Sequence, residues 1–233
     1  LMKNNIMEQK VGVGIIGSQF ISSIHVESLK QVPEAVIVAV MSPTPGNAKQ
    51  FAETHNIPKY FTQLEDMLAL EEVHMVVVGA PNYLHCDITL KAAKAGKHIV
   101  VEKPLCLNMA EADQMIAACK EAEVKLMYAE ELCFTPKYVR LKGLLDSGSL
   151  GDPIIFKQSE KHDGPHSDHF WDVERSGGGV TMDMGCHAIQ FFRWLNANNP
   201  VVSVYAHMST TVHRHRTKGD DNAILILEFE NGV

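Results

Sequence analysis

"VGVGIIGSQFISS", residues Val11 to Ser23, holds a literal G-x-G-x-x-G at Gly12, Gly14 and Gly17. In a dinucleotide-binding unit the first glycine belongs to the turn after a strand, and the helix that follows aims its N-terminus at the pyrophosphate. Here Gly12 and Gly14 fall inside the β-branched run itself. The working frame therefore starts at Gly17 and reads Gly17-Ser18-Gln19-Phe20-Ile21-Ser22. Only Gly17 keeps its role in that frame. Gln19 stands where an absent side chain would let the backbone approach a phosphate, and Ser22 replaces the glycine that packs helix on strand. The helix start still offers free N–H groups and a positive dipole end. Taken alone, the string is equally a strand with packed glycines; its surroundings decide.

Those surroundings alternate. The strand-like run 11–16 precedes a helical pattern over 20–32, and 36–41 precedes one over 47–55. Run 75–80 precedes a helix over 87–95, run 98–102 one over 109–122, and 125–129 closes the series. Such alternation implies right-handed βαβ units and a parallel sheet covered on both faces. The wholly apolar "HMVVVGA" and "HIVVE" fit strands with no polar face. Beyond about Leu132 the rhythm changes: a helix over 136–145, an alternating "PIIFKQSEKH" that reads as a half-exposed strand, a triple glycine, a long helix over 180–195, then "VVSVYAHMSTTV" and "AILILEF". The predicted fold class is α/β. A doubly wound parallel sheet over 8–132 is joined to an α+β domain with a mainly antiparallel sheet over 133–233. "ENGV" reads as a hairpin turn whose returning strand is missing, so the second domain is expected to be truncated.

Composition excludes several partners. A net charge of −7 over 233 residues argues against nucleic acid and anionic membrane surfaces. The apolar runs fall short of the roughly 18 residues of a spanning helix. "LMKNNIMEQK" lacks the apolar segment of an export signal. Cys86, Cys106, Cys119, Cys133 and Cys186 are odd in number and never spaced C-x-x-C, which fits reduced thiols and a cytoplasmic location. The end of the second strand, "VAVMSPTPGNAKQ", has no Asp or Glu to hold the ribose hydroxyls of NAD. Ser42, Thr44 and Lys49 suit a 2′-phosphate, though no arginine is near. Both NAD and NADP remain open.

Three further stretches make the reading specific: "APNYLH" (80–85), "AGKHIVVEKPL" (95–105) and "SGGGVTMDMGCHAI" (176–189). With them the chain resembles the glucose–fructose oxidoreductase/inositol dehydrogenase/rhizopine-catabolism (Gfo/Idh/MocA) family from about Lys10 to Gly232. The resemblance implies a two-domain NAD(P)-dependent oxidoreductase acting on a sugar, polyol or glycoside, working as a homo-oligomer, dimer or tetramer. It implies Lys103, Asp183 and His187 as the catalytic set. The cofactor would meet Gly17, Ser18, Gln19, Phe20, Ile21, Ser42, Pro81, Asn82, His85, Glu102 and Lys103, with Asn82 and His85 on the nicotinamide side. The chemistry is consistent with this. Hydride loss from a secondary alcohol leaves a hydroxyl proton for a base, and an imidazole titrates near neutrality. Asp183 and His187, four apart, share a helix face, and Lys103 can stabilise negative charge on the substrate oxygen. The bland alternative is a helix N-terminal acid with a polar histidine.

The substrate would be chosen by "EKHDGPHSDHFWDVERSGGG" (160–179), whose His162, His166 and Trp171 suit a polyhydroxylated ring, together with Tyr128, Asp183 and His187. Tyr128, Glu130 and Glu131 either touch hydroxyls or hold the hinge. His162, His166 and His169 with Asp163 and Asp168 are the sharper metal alternative. Their spacing matches no fixed motif, so no metal is expected. "TTVHRHRTKGDDN" (210–222) reads as an exposed hairpin loop. The competing function is a non-catalytic nicotinamide-sensing or binding protein on the same fold, expected to have lost the lysine or histidine.

Overall fold

The apolar runs of the first half do assemble into one parallel sheet. The computed structural model describes residues 10–233, which fall into two units, the first ending at Ala129 and the second spanning Glu130–Val233. Residues 1–9 lie outside the described residues. With them lie the reading of the N-terminal stretch as free of an export signal and the first two residues of the expected first domain. The boundary falls three residues earlier than the sequence implied.

In the first unit, β1 (Val11–Ile16), β2 (Ala35–Met41), β3 (Lys59–Phe61), β4 (Met75–Val78), β5 (His98–Glu102) and β6 (Leu126–Ala129) run in the order β3-β2-β1-β4-β5-β6, all parallel. Strand order reverses between β1 and β4, and ligands of open α/β sheets bind beyond the strand ends at such a point. Successive side chains of a strand point to opposite faces. Val13 and Ile15 of β1 therefore join one core with Val26 of α1 (Phe20–Leu29) and with Phe51 and Ala52 of α2 (Pro45–His55). Ile16, Val76, Val78, Ile99 and Val101 join the other, against α3 (Leu64–Leu68), α4 (His85–Lys94) and α5 (Met109–Glu121). Each fully buried aliphatic side chain contributes about 1.5–3 kcal/mol, so both faces must be covered for the sheet to persist. The edge strand β3 and the short α3 are absent from the sequence reading. Three residues are too few to show a period.

Caps set the helix limits. Asn108 accepts the Glu111 N–H at 3.0 Å while the Glu111 carboxylate accepts the Leu107 N–H at 2.9 Å, which fixes the start of α5. Pro45 opens α2, and Asn56 closes it in the left-handed region at φ 59°.

The second unit comprises α6 (Pro136–Asp146), α7 (Val173–Ser176), a π-helical turn (Thr181–Gly185) running into α8 (Cys186–Leu195), and the antiparallel pair β7 (Val201–Ser209) and β8 (Asn222–Phe229). Its apolar centre is small, with Phe191 packed against Tyr138 in a tilted pair, 4.5 Å between ring centres. The expected strand over 153–162 does not form. Ile154 and Ile155 stand exposed, and no neighbouring strand among the described residues accepts the segment's backbone groups. An alternating pattern becomes a strand only when a ladder partner exists. The 210–221 loop does join β7 to β8 as a hairpin connection. Among the described residues no helix is long and apolar enough to cross a membrane.

Candidate active site

At the tip of β1, Gly17 adopts φ +107°, and its N–H reaches the Met41 carbonyl at 2.8 Å. A Cβ here would lie 2.6 Å from the Gly79 carbonyl oxygen, so the turn requires glycine twice over. Ser22 sits beneath it, fully buried, with Oγ lacking a hydrogen-bond partner among the described residues. It fills the space a third glycine would leave open. Gln19 has φ −99° and ψ −174°, ordinary extended backbone in which glycine is not needed. Its exposed side chain makes no capping bond, and the first turn of α1 carries no acid, so no side-chain charge there would oppose an anion at the N–H groups. Phe20 is 75% exposed and Ile21 half-buried. A polar depression of about 270 Å³ opens beside the turn, lined by Ser18, Gln19, Asn47, Gln50 and His55 among others. Ser18 Oγ donates to the buried Ser42 Oγ at 3.0 Å, which leaves the end of β2 without charge. These residues fit the pyrophosphate and adenosine end of a dinucleotide.

Further along the sheet, a 3-10 turn at Asn82–Leu84, after the half-buried Pro81, leads into α4. Asn82 is buried. His85 is fully buried, with Nδ1 2.9 Å from the Pro104 carbonyl and Nε2 2.8 Å from the Ala80 carbonyl. Burial pushes its pKa down, with the carbonyls pulling the other way. His85 offers no surface to a ligand. Expected beside the nicotinamide, it instead ties the loop after β4 to the loop after β5. Lys103 is half-buried and follows β5, with its N–H donated to Glu102 Oε2 at 3.0 Å. Glu102 Oε1 lies 2.7 Å from His25 Nε2 on α1. Nothing in the sequence marks His25, because its partner is 77 residues away.

In the second unit the helix bearing Asp183 and His187 is held at its start by Asp220. That carboxylate accepts the N–H groups of Gly179 at 3.2 Å and Thr181 at 2.8 Å and the Thr181 hydroxyl at 2.6 Å, and the Asp220 carbonyl accepts the Val180 N–H at 2.7 Å. A Cβ on Gly179 would overlap Asp220, so one glycine of the triple run is a requirement of close approach. The π-helical turn then carries Asp183, half-buried, and widened turns of this kind recur at functional sites. His187 is buried, with Nδ1 2.7 Å from the buried Glu130 Oε1 and 3.7 Å from the exposed Glu131 Oε2. The Leu132 N–H, at 3.3 Å, and the Cys133 thiol, at 3.5 Å, also point at the Glu130 carboxylate. Glu130 is thus a buried partner of the histidine, at the first residue of the second unit.

The substrate-loop residues are less gathered. His162 and His166 are exposed, their rings stacked 5.9 Å apart. Trp171 has one face covered by the Arg216 guanidinium at 3.9 Å and an edge contact from His213 at 4.9 Å, so that face is closed to a sugar. Tyr128 is half-buried in β6, opposite Val101. Among the described residues the loop histidines and aspartates form no trio able to share an ion. In the trio that does come together, Glu130, Glu131 and His187, the 2.7 Å hydrogen bond already joins Glu130 to His187.

Residues 11–130 match the oxidoreductase family with an NAD-binding Rossmann fold, and residues 138–233 match the GFO/IDH/MocA C-terminal domain. The chain belongs to the GFO/IDH/MocA oxidoreductase family. It is similar to the myo-inositol 2-dehydrogenase of Thermotoga maritima, 29% identical over 223 residues, covering 95% of this chain and 66% of the relative. It is 31% identical over 222 residues to the trans-1,2-dihydrobenzene-1,2-diol dehydrogenase of Xenopus tropicalis, covering 93% and 64%. This GFO/IDH/MocA chain thus spans just under two thirds of those relatives' length. Among solved structures it superposes on GenD2 from gentamicin A biosynthesis, in complex with NAD, with a TM-score of 0.87 at 26% identity, covering 100% of this chain and 66% of that one. Levoglucosan dehydrogenase with NADH and levoglucosan gives 0.85 at 25%, covering 97% and 65%.

Proposed function

We propose that the chain carries the cofactor and proton-transfer machinery of an NAD(P)-dependent oxidoreductase acting on a secondary alcohol, or the matching ketone, of a polyol, sugar or glycoside. The observation that carries the reading is the buried His187 on the helix of Asp183, in a chain whose other unit has the NAD-binding fold. The relatives named for inositol, a dihydrodiol and levoglucosan support a cyclic polyol substrate.

Gly17, Ser18 and the start of α1 would hold the pyrophosphate, Ser42 and its neighbours the ribose, and Lys103 with Asn82 the nicotinamide side. When bound, the nicotinamide supplies the acceptor for the hydride leaving the carbinol carbon. His187 takes the hydroxyl proton as the C–H and O–H bonds break and the C=O bond forms, and the reverse step returns it. Lys103 donates to the substrate oxygen and favours its developing charge, while Asp183 orients a neighbouring hydroxyl. Either nicotinamide dinucleotide fits the uncharged end of β2. The scattered free thiols are in keeping with a reducing, cytoplasmic setting. The exposed Val204, Tyr205, Ile224 and Ile226 of the β7–β8 pair are in keeping with a homo-oligomer.

The test is to follow nicotinamide reduction with NAD or NADP against a panel of inositols, sugars, dihydrodiols and glycosides. Turnover lost in Lys103→Met and His187→Ala, with cofactor affinity kept within a few-fold, is the expected result. Saturable nicotinamide binding without turnover of any member would instead favour the sensing protein.

A further inference from the structure

His187 does not stand alone, and its partner is a carboxylate. Glu130 is buried, yet its carboxylate is well supplied: Oε1 faces His187 Nδ1 at 2.7 Å and the Leu132 N–H at 3.3 Å, and Oε2 faces the Cys133 thiol at 3.5 Å. A buried carboxylate costs several kcal/mol unless it is paired and hydrogen-bonded, so this arrangement needs the histidine as much as the histidine needs it. We propose that Glu130 is a positioning residue for the proton transfer. It holds the Nδ1 proton of His187, so the base acts through Nε2, and it stabilises the imidazolium formed when the substrate proton arrives.

The reason is stereochemical. An ionised carboxylate can only accept, so the 2.7 Å contact requires a proton on Nδ1, and in the neutral ring this leaves the lone pair on Nε2. Once Nε2 is protonated, the positive ring lies against a negative charge already in place, with no reorganisation to be done. Other titratable groups near His187 are placed differently. Glu131 lies at 3.7 Å, too far for a hydrogen bond, Cys133 points its thiol at Glu130, and Asp183 sits four residues earlier on the same helical run. None of these can replace Glu130 at Nδ1. The pairing joins residues 57 apart and rests on the reading of His187 as the base.

The first measurement reads the wild-type imidazole directly. Heteronuclear NMR of the protein with nitrogen-labelled histidines should show His187 in its Nδ1–H tautomer, its signal assigned by its loss in His187→Gln. An Nε2–H tautomer overturns the proposal whatever the activity. In kinetics, Glu130→Gln should lower kcat roughly a hundredfold or more while leaving nicotinamide affinity within about threefold. Without the negative neighbour the imidazolium is less favoured, so the acid limb of kcat/KM should move about one pH unit lower. Glu130→Asp, which keeps the charge, should recover at least about tenfold over the amide. In a His187→Ala background Glu130→Gln should cost nothing further, because the two act as one unit. A kcat within threefold of wild type, or an equal loss in both backgrounds, would overturn the proposal. If the wild-type protein turns over no polyol, the proposed function fails instead, and the tautomer still reads the pairing.

Discussion

His25 Nε2 and Glu102 Oε1 meet at 2.7 Å, tying the middle of α1 to the last residue of β5. The other Glu102 oxygen accepts the Lys103 N–H, so one buried carboxylate connects α1, whose start is proposed to hold the pyrophosphate, to the residue proposed to touch the substrate oxygen. His25→Ala leaves that carboxylate short of a partner. The expected cost is about 2 kcal/mol in denaturant unfolding, with turnover reduced several-fold. His25→Gln can still donate to Oε1 and should recover most of both. An alanine variant as stable and as active as wild type would show that the contact is incidental.

The glycine turn separates two residues that look alike in a motif. Gly17→Ala places a side chain at φ +107° and 2.6 Å from a carbonyl oxygen, and should cost about 2 kcal/mol or more and abolish nicotinamide binding. Gln19→Gly changes an extended helix-capping position where glycine costs only about a few tenths of a kcal/mol. Its cofactor affinity should stay within about threefold of wild type. Isothermal titration with NAD and NADP reads both variants. A large gain with Gln19→Gly would identify the side chain as an obstruction, and a large loss would identify it as a ligand.

Asp221 secures the β7–β8 hairpin loop. Partial burial pushes its pKa up, but the N–H groups of His213 at 2.6 Å, Thr211 at 2.8 Å and Val212 at 2.8 Å, with the Asn222 amide at 2.7 Å, outweigh this. They hold the carboxyl well below the usual aspartate range. The unfolded chain, titrating near the ordinary value of about 3.9, then binds the proton first as pH falls. The contribution is complete above that value and is lost progressively below it. Melting temperature against pH should therefore drop more steeply below about pH 4 for wild type than for Asp221→Asn. Parallel curves would refute this.

Cys133 should be a poor nucleophile despite partial exposure. Burial, reinforced by the adjacent Glu130 carboxylate, pushes its thiol up to about 11. At about pH 8 its thiolate fraction is roughly a hundredfold below that of an ordinary cysteine, and alkylation should slow in proportion. Peptide mapping after timed iodoacetamide treatment measures it. Labelling at the rate of a free thiol would contradict the contact, and faster labelling in Glu130→Gln would support it.

Much of the first unit was legible because its evidence is local. Apolar runs bounded by helical patterns report strands and helices through their own period, and the Gly17 turn and the Glu-Lys-Pro run lie within a few residues each, as does the Asp183–His187 spacing of the second unit. The register of β3, three residues long at a sheet edge, left no such trace, and residues 153–162 had the period of a strand but no partner with which to form one. By itself the sequence determined the order of elements, the doubly wound sheet and the candidate lysine, aspartate and histidine. Only the tertiary structure decided that His85 is a buried brace, that His25 holds Glu102, that Trp171 is covered by Arg216 and that His187 answers to Glu130. Those are hydrogen bonds and ring contacts between residues far apart along the chain, or between a ring and carbonyls whose place depends on the fold. No periodicity or spacing encodes which distant side chain will arrive within 3 Å of another.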